Sequence, residues 1–220
     1  LPITLQMSVM SMIMAIAIGV PLGVLSAIWR GGAFDLFTRV FSLLGIAAPN
    51  FFIGTLIVIL GAIYFPGMRT LGYVPFSEDP LGSMARMFWP SLTFGIGIGA
   101  IILRYTRSSV MEILGEDYVR TARAKGLPEF KVVFVHALKN AMIPIVTAVG
   151  VWTSFMIGGT VLIEEIFAIP GLGRLVLGAI QSRDYPVIQA TVLFLSFGVA
   201  VTMLLADLVV AAVDPRIKLS

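Results

Sequence analysis

"EDYVRTARAKGLPEFKVVFVHALKNAMIP", Glu116 to Pro144, is a basic, semi-polar stretch set between long runs of Ile, Leu, Val, Phe, Ala and Gly. The contrast with those flanks decides the fold. Of 220 residues, 58% are hydrophobic and only 12% are charged, and the mean hydropathy is +1.00. Soluble domains carry about 25% charged residues, so this chain has too little polar surface to cover itself in water. The alternative is a soluble protein with an unusually large core. Apolar runs of about 20 residues, the length that crosses a bilayer, speak against it. The reading is an all-α polytopic membrane protein forming a single transmembrane domain over residues 1–220.

Five stretches qualify as spans: Ile3 to Trp29, Phe37 to Phe65 with an interruption at Pro49-Asn50, Trp89 to Tyr105, a fourth within Met142 to Ile163, and Val187 to Val213. The third is the shortest and is glycine-rich. Alternate connections lie on opposite sides of the membrane. Arg30, Arg39, Arg104, Arg107, Arg120, Arg123, Lys125, Lys131, Lys139, Arg216 and Lys218 fall on one side, and only Arg69, Arg86, Arg174 and Arg183 on the other. The positive-inside rule then makes the insert at 111–144 and the C-terminus cytoplasmic. Residue 1 and the segments 66–88 and 164–186 become extracytoplasmic. An outward start without a signal sequence leads us to expect a sixth span upstream of Leu1.

Several function classes are excluded. One His and no Cys leave no cluster with metal-ligand spacing. The pI near 9.5 reflects the Lys/Arg excess of cytoplasmic loops rather than nucleic-acid binding. The chain has no G-x-x-x-x-G-K-[ST] loop, no H-E-x-x-H and no G-x-S-x-G. It is therefore read as neither an ATPase nor another enzyme. Acids within the spans are few, Asp207 in the last and Glu164-Glu165 at the outer end of the fourth. Ion-coupled carriers bury such groups near the midplane, so a secondary carrier is the weaker alternative.

The insert reads as two short helices hinged at Gly126-Leu127. Glu116 and Asp117 favour the start of the first helix. Gly126 stops it, and Pro128 opens a second that carries Phe130, Val133, Phe134, Ala137 and Leu138 at helical spacing. About 35 residues are too few for a catalytic domain and enough for a knob seated in a partner's groove. His136 is read as a solvated or groove-facing position rather than a ligand.

The insert resembles the EAA loop of bacterial ABC importer permeases. Arg120-Thr121-Ala122 stand where E-A-A would, followed by Arg123-Ala124-Lys125, Gly126 and the downstream Pro144. "LPITLQ", "GVPLGVLSA", "EEIFAIPGLGRL", "RDYPVIQA" and "DPRIK" resemble the first of the two paired permeases in the dipeptide, oligopeptide and nickel branch. That resemblance implies a permease subunit in a bacterial cytoplasmic (inner) membrane. It works with a second homologous permease, one or two ATPase subunits and an extracytoplasmic substrate-binding protein. The chain itself is expected to hold no cofactor, with ATP and Mg on the ATPases.

The resemblance makes Arg120, Ala122, Arg123, Ala124, Gly126, Leu127, Pro128, Glu129 and Phe130 the ATPase-coupling contact. Arg120 replaces the motif's Glu, so that residue's role does not transfer. Glu164, Glu165, Arg174, Arg183 and Asp184 are candidates for docking the binding protein, with loop solubility as the alternative. Asn50, beside Pro49, is a candidate for lining the pathway or for capping freed backbone. The cargo is read as di- or oligopeptides, with nickel chelates, glutathione or opines as alternatives.

Overall fold

The computed structural model describes residues 2–65, 67 and 70–213. Arg69, Arg216, Lys218 and the "DPRIK" stretch lie outside the described residues, as does the side chain of His136. Every regular element among the described residues is helical. They are α1 (Pro2–Ile28), α2 (Ala33–Ala47), α3 (Asn50–Tyr64), α4 (Pro80–Leu114), α5 (Asp117–Ala124), α6 (Glu129–Lys131), a π-helical turn (Val132–Ala137), α7 (Leu138–Gly159), α8 (Val161–Ile166), α9 (Leu172–Ser182) and α10 (Tyr185–Val213).

Four helical runs are long and apolar enough to cross a membrane: α1, α4, the run from Glu129 to Thr153, and α10. Helices α2 and α3 pass the same test only as a pair bent by 99°, the geometry of a broken span or a re-entrant loop. Four of the five expected spans are therefore present as helical runs and the second as this bent pair, with two corrections. The third span is the longest, not the shortest, at 35 residues. Asp79 caps its start by accepting the Gly82 N–H at 2.9 Å, and Pro80 fits the first turn. Nothing in "RYTRSSVMEIL" then stops the helix before Gly115.

The second correction concerns the insert. Its second helix is not a separate short piece. It begins after Pro128 and runs through the π-helical turn into α7. No residue between Pro128 and Pro144 breaks a helix, and Pro144 itself is carried inside α7. Pro21 and Pro90 are likewise inside continuous helices, and of these four span prolines Pro49 alone coincides with a break.

The axis of the bundle is the parallel pair α1 and α4. Gln6 donates to Ser83 near one end (2.9 Å), and Arg107 reaches Ser26 near the other (3.2 Å). Between them the backbones nearly touch. A Cβ at Gly19 would lie 2.7 Å from the Gly99 carbonyl oxygen, and one at Gly23 2.6 Å from Thr106 Cβ. Without a hydrophobic force between helices in lipid, close packing of this kind must supply the association. Met7, Ala15, Ile102 and Phe167 fill the buried core around it, and α7 and α3 close over it. Helix α10 packs on α7, where Gly150 faces Ala206, and leaves Leu193, Phe197 and Leu204 exposed. In a membrane-spanning chain those side chains face lipid or another apolar helix.

Gly19→Ala tests this packing against a matched control. It should destabilise the detergent-solubilised protein by about 1–3 kcal/mol through overpacking. Gly178→Ala, where an added Cβ meets nothing within 4 Å, should be neutral or mildly stabilising. Thermal unfolding of the two variants checks the difference.

Candidate functional site

Among the described residues, four places hold polar or strained groups: the turn at Gly126, a polar cluster at the same end of the bundle, a second cluster at the other end, and a cavity midway.

At the Gly126 turn, α5 is tied down by Val119 and Ala122, which pack with Val132 against Ile113, Leu114 and Leu127. Ala122 is only 7% exposed. It helps hold the turn together and presents little surface, whereas the sequence places it in the contact itself. Leu127 is likewise half-buried, whereas Arg120, Arg123, Ala124, Gly126, Pro128, Glu129 and Phe130 are exposed. Gly126 has φ +77°, a left-handed conformation that costs a residue with a Cβ about 1 kcal/mol or more.

Across that turn Arg123 grips Glu129 with two hydrogen bonds, Nη2 to Oε1 at 2.7 Å and Nε to Oε2 at 3.2 Å. The bond to Glu129 raises the Arg123 pKa above the ordinary arginine value, with burial opposing it. Asn140 donates to the Tyr118 hydroxyl at 2.8 Å and so joins α5 to α7. Phe130 stands 69% exposed, its ring 4.6 Å from that of Phe134.

Nearby, a cluster that the sequence reading did not single out binds α1, α2 and α4. Asp35 is 1% exposed and accepts from Arg107 Nε at 2.7 Å, Arg107 Nη2 at 3.1 Å, Ser26 Oγ at 2.8 Å and the Gly31 N–H at 3.0 Å. Thr38 donates to Ser26 at 2.8 Å. In sequence Asp35 and Arg107 are ordinary loop charges, 72 residues apart.

At the opposite end, Glu164 was read as a docking contact, and the structure overturns this. Its side chain is fully buried and accepts from Thr4 Oγ1 (2.8 Å), Thr160 Oγ1 (3.1 Å), the Gly173 N–H (2.7 Å) and the Arg174 N–H (3.1 Å). Thr4 also accepts the Leu172 N–H at 3.1 Å. Two glycines make room, since a Cβ at Gly171 or Gly173 would collide with the Glu164 carboxylate or Val161. Glu165, one residue on, points outward and pairs with Arg174 at 3.3 Å. Arg183 ends α9 in a left-handed conformation (φ 56°), and Asp184 accepts the Val187 N–H at the start of α10. Both are exposed.

The cavity, about 380 Å³, lies where α2 breaks from α3, against α4 and α7. Asn50 lines it and faces Gly97, where a Cβ would sit 2.5 Å from Asn50 Oδ1. The structure therefore has Asn50 on a cavity wall.

The fold is a helical bundle with candidate membrane spans, one of them a bent pair, and a turn and a polar cluster at one end. Residues 19–219 match the family model of the binding-protein-dependent transport system inner membrane component, and the chain belongs to that family. It is 41% identical over 216 residues to the "Probable peptide ABC transporter permease protein" of Sinorhizobium fredii, covering 98% of this chain and 69% of that protein. It is 38% identical over 238 residues to the dipeptide transport system permease protein DppB of Escherichia coli K12, covering 98% of this chain and 70% of that one. A chain of the MetNI methionine ABC transporter, in inward-facing conformations, shares the fold with a TM-score of 0.74 at 18% identity. That match covers 96% of this chain and 93% of the other. The chain is thus a multi-pass permease, a transport subunit rather than an enzyme, and homologous to bacterial inner-membrane permeases. The family works with ATPase and binding-protein partners.

The neighbouring glutamates give a sharp comparison. Glu164→Ala should cost about 3 kcal/mol, because it strands two hydroxyls and two backbone N–H groups in a buried site. Glu165→Ala, losing only an exposed ion pair, should cost less than about 1 kcal/mol. Chemical denaturation of the two purified variants measures both.

Proposed function

We propose that this chain is one of two homologous permeases forming the pathway of an ATP-driven peptide importer, and that the turn at Gly126 is where ATPase motion enters it. The observation that carries the coupling reading is the continuity of the helix behind Phe130. An exposed aromatic sits at the start of a run that extends without a break from Glu129 to Gly159. A push on Phe130 is therefore carried toward the middle of the bundle along one continuous helical run, through the π-helical turn at Val132–Ala137. The Arg123–Glu129 pair and the buried Val119, Ala122 and Val132 keep the turn from absorbing that push. Shifts of packed helices of this kind reorient bundles without local unfolding.

The Gly126 end is the cytoplasmic face in this reading, by the excess of Lys and Arg there. One or two ATPase subunits carrying ATP and Mg seat on Arg120, Arg123, Ala124 and Phe130. The binding protein meets the other end, where Glu165, Arg174, Arg183 and Asp184 are exposed. The membrane is a bacterial inner membrane, with the α1 start outside and the C-terminus inside. Peptide cargo is supported by the names of the relatives, a peptide permease and a dipeptide permease.

Two variants test the coupling. Phe130→Ala should leave folding intact, because the ring is exposed, and should weaken ATPase association by about tenfold or more, as loss of an aromatic anchor does. Gly126→Pro forces φ to about −65° where the turn needs +77°. It should separate ATP hydrolysis from peptide uptake while the protein stays in the membrane. Normal uptake by the Gly126→Pro transporter would refute the coupling role.

A further inference from the structure

We propose that the cavity beside the break between α2 and α3 is a transit site for the peptide bonds of the cargo, with the Asn50 carboxamide as its hydrogen-bonding group. This rests on the peptide-importer reading above and assigns it a place within the bundle.

Depth comes first. Asn50 faces Gly97, the central residue of the 35-residue α4, so the break lies midway along the longest span. At that depth, irregular backbone is tolerated only where protein buries it or where it lines a polar space. Here the irregularity is a 99° bend. Pro49 brings no N–H, so the Gly45 carbonyl loses the donor that an unbroken helix would supply. Helix α2 closes with a single cap bond, from the Ala48 N–H to the Leu44 carbonyl. Gly45 and Ile46, in the last turn of α2, line the cavity. A lipid chain satisfies none of these groups.

The chemistry of the wall then narrows the occupant. The Asn50 carboxamide makes no hydrogen bond to another described residue, so it remains able both to donate and to accept. No lining residue is ionisable. The wall therefore offers no counter-charge to the ends of a peptide and no ligand to a metal chelate, and what it can recognise is the neutral amide between those ends. A neutral amide finds a partner of its own kind. Phe94, Trp152 and Phe155 share the apolar part of the wall with Ile46, Ile98 and Ile101, and the Trp152 and Phe155 rings lie 5.6 Å apart. Aromatic faces accept varied side chains, so such a site reads the backbone and passes over the residue types. The volume of about 380 Å³ falls in the range of small-ligand pockets, roughly 300–1,000 Å³. One amide and no charge make a weak site, which suits a cargo that must leave.

Gly97 completes the geometry. Any side chain there would displace the Asn50 oxygen, because a Cβ lies 2.5 Å from it.

The test uses the assembled transporter in proteoliposomes with its binding protein, and uptake of radiolabelled dialanine normalised to the amount of complex. Asn50→Leu, of similar size and without hydrogen bonds, should lower uptake roughly five- to tenfold, the worth of one such bond. Asn50→Gln, which keeps the amide, should restore much of it, and Gly97→Ala should resemble Asn50→Leu. A diazirine-bearing tripeptide should label Trp152 or Phe155 under turnover and be competed by unlabelled peptide. Wild-type uptake combined with an undiminished Asn50→Leu rate would overturn the transit site alone. Labelling of those residues only by a diazirine-bearing phospholipid would do the same and make the cavity a lipid groove. No dialanine uptake by the wild type would overturn the peptide reading and this site with it.

Discussion

Where α1 meets α4, Gly19 faces the Gly99 carbonyl with no side chain between them, and Gly23 does the same against Thr106. Lipid offers helices no hydrophobic reason to associate, so contact at van der Waals distance along a whole interface has to hold the pair. Because the two helices run parallel and so close, they behave as one thick strut. The other spans are placed by what they can reach on it: α2 and α3 through Gly45 and Gly54, and α7 through the core around Met156.

Each end of the strut is fastened by a buried acid. Asp35 ties α2 to α1 and α4 through Ser26 and Arg107, and Glu164 ties the α8–α9 connection to α1 through Thr4. A buried carboxylate is costly unless donors surround it. Asp35 is met by the Arg107 guanidinium, the Ser26 hydroxyl and the Gly31 N–H, and Glu164 by two threonine hydroxyls and two backbone N–H groups. The polar groups thus fix where the ends of the bundle go, while the glycines fix how close the middle comes.

Two departures from simple spanning helices carry the functional readings. The break at Pro49 opens irregular backbone at mid-depth, where an unbroken helix would have presented only side chains. The insert's second helix is continuous with α7, so the loop is one end of a long helical run. Under the proposed function, the first feature would give cargo a place within the bundle and the second would connect that bundle to the ATPase.

Sequence alone determined the membrane class, the five spans, the basic end and the family resemblance, because these depend on composition, on runs of apolar residues and on local motifs. Gly126 was legible for the same reason: a helix stop after Lys125 is a local requirement, and its φ of +77° is local too. What remained for tertiary structure were the choices between neighbours of like chemistry. Glu164 and Glu165 are identical residues at adjacent positions, yet one is buried beneath Thr4 and the other exposed. Ala122 is buried and Ala124 exposed on the same short helix. Asp35 and Arg107 became partners only once α2 was laid against α4. Hydropathy and spacing report how a segment meets solvent or lipid on average. Which side chain a second segment will cover depends on contacts made across scores of residues, and only the packed bundle contains them.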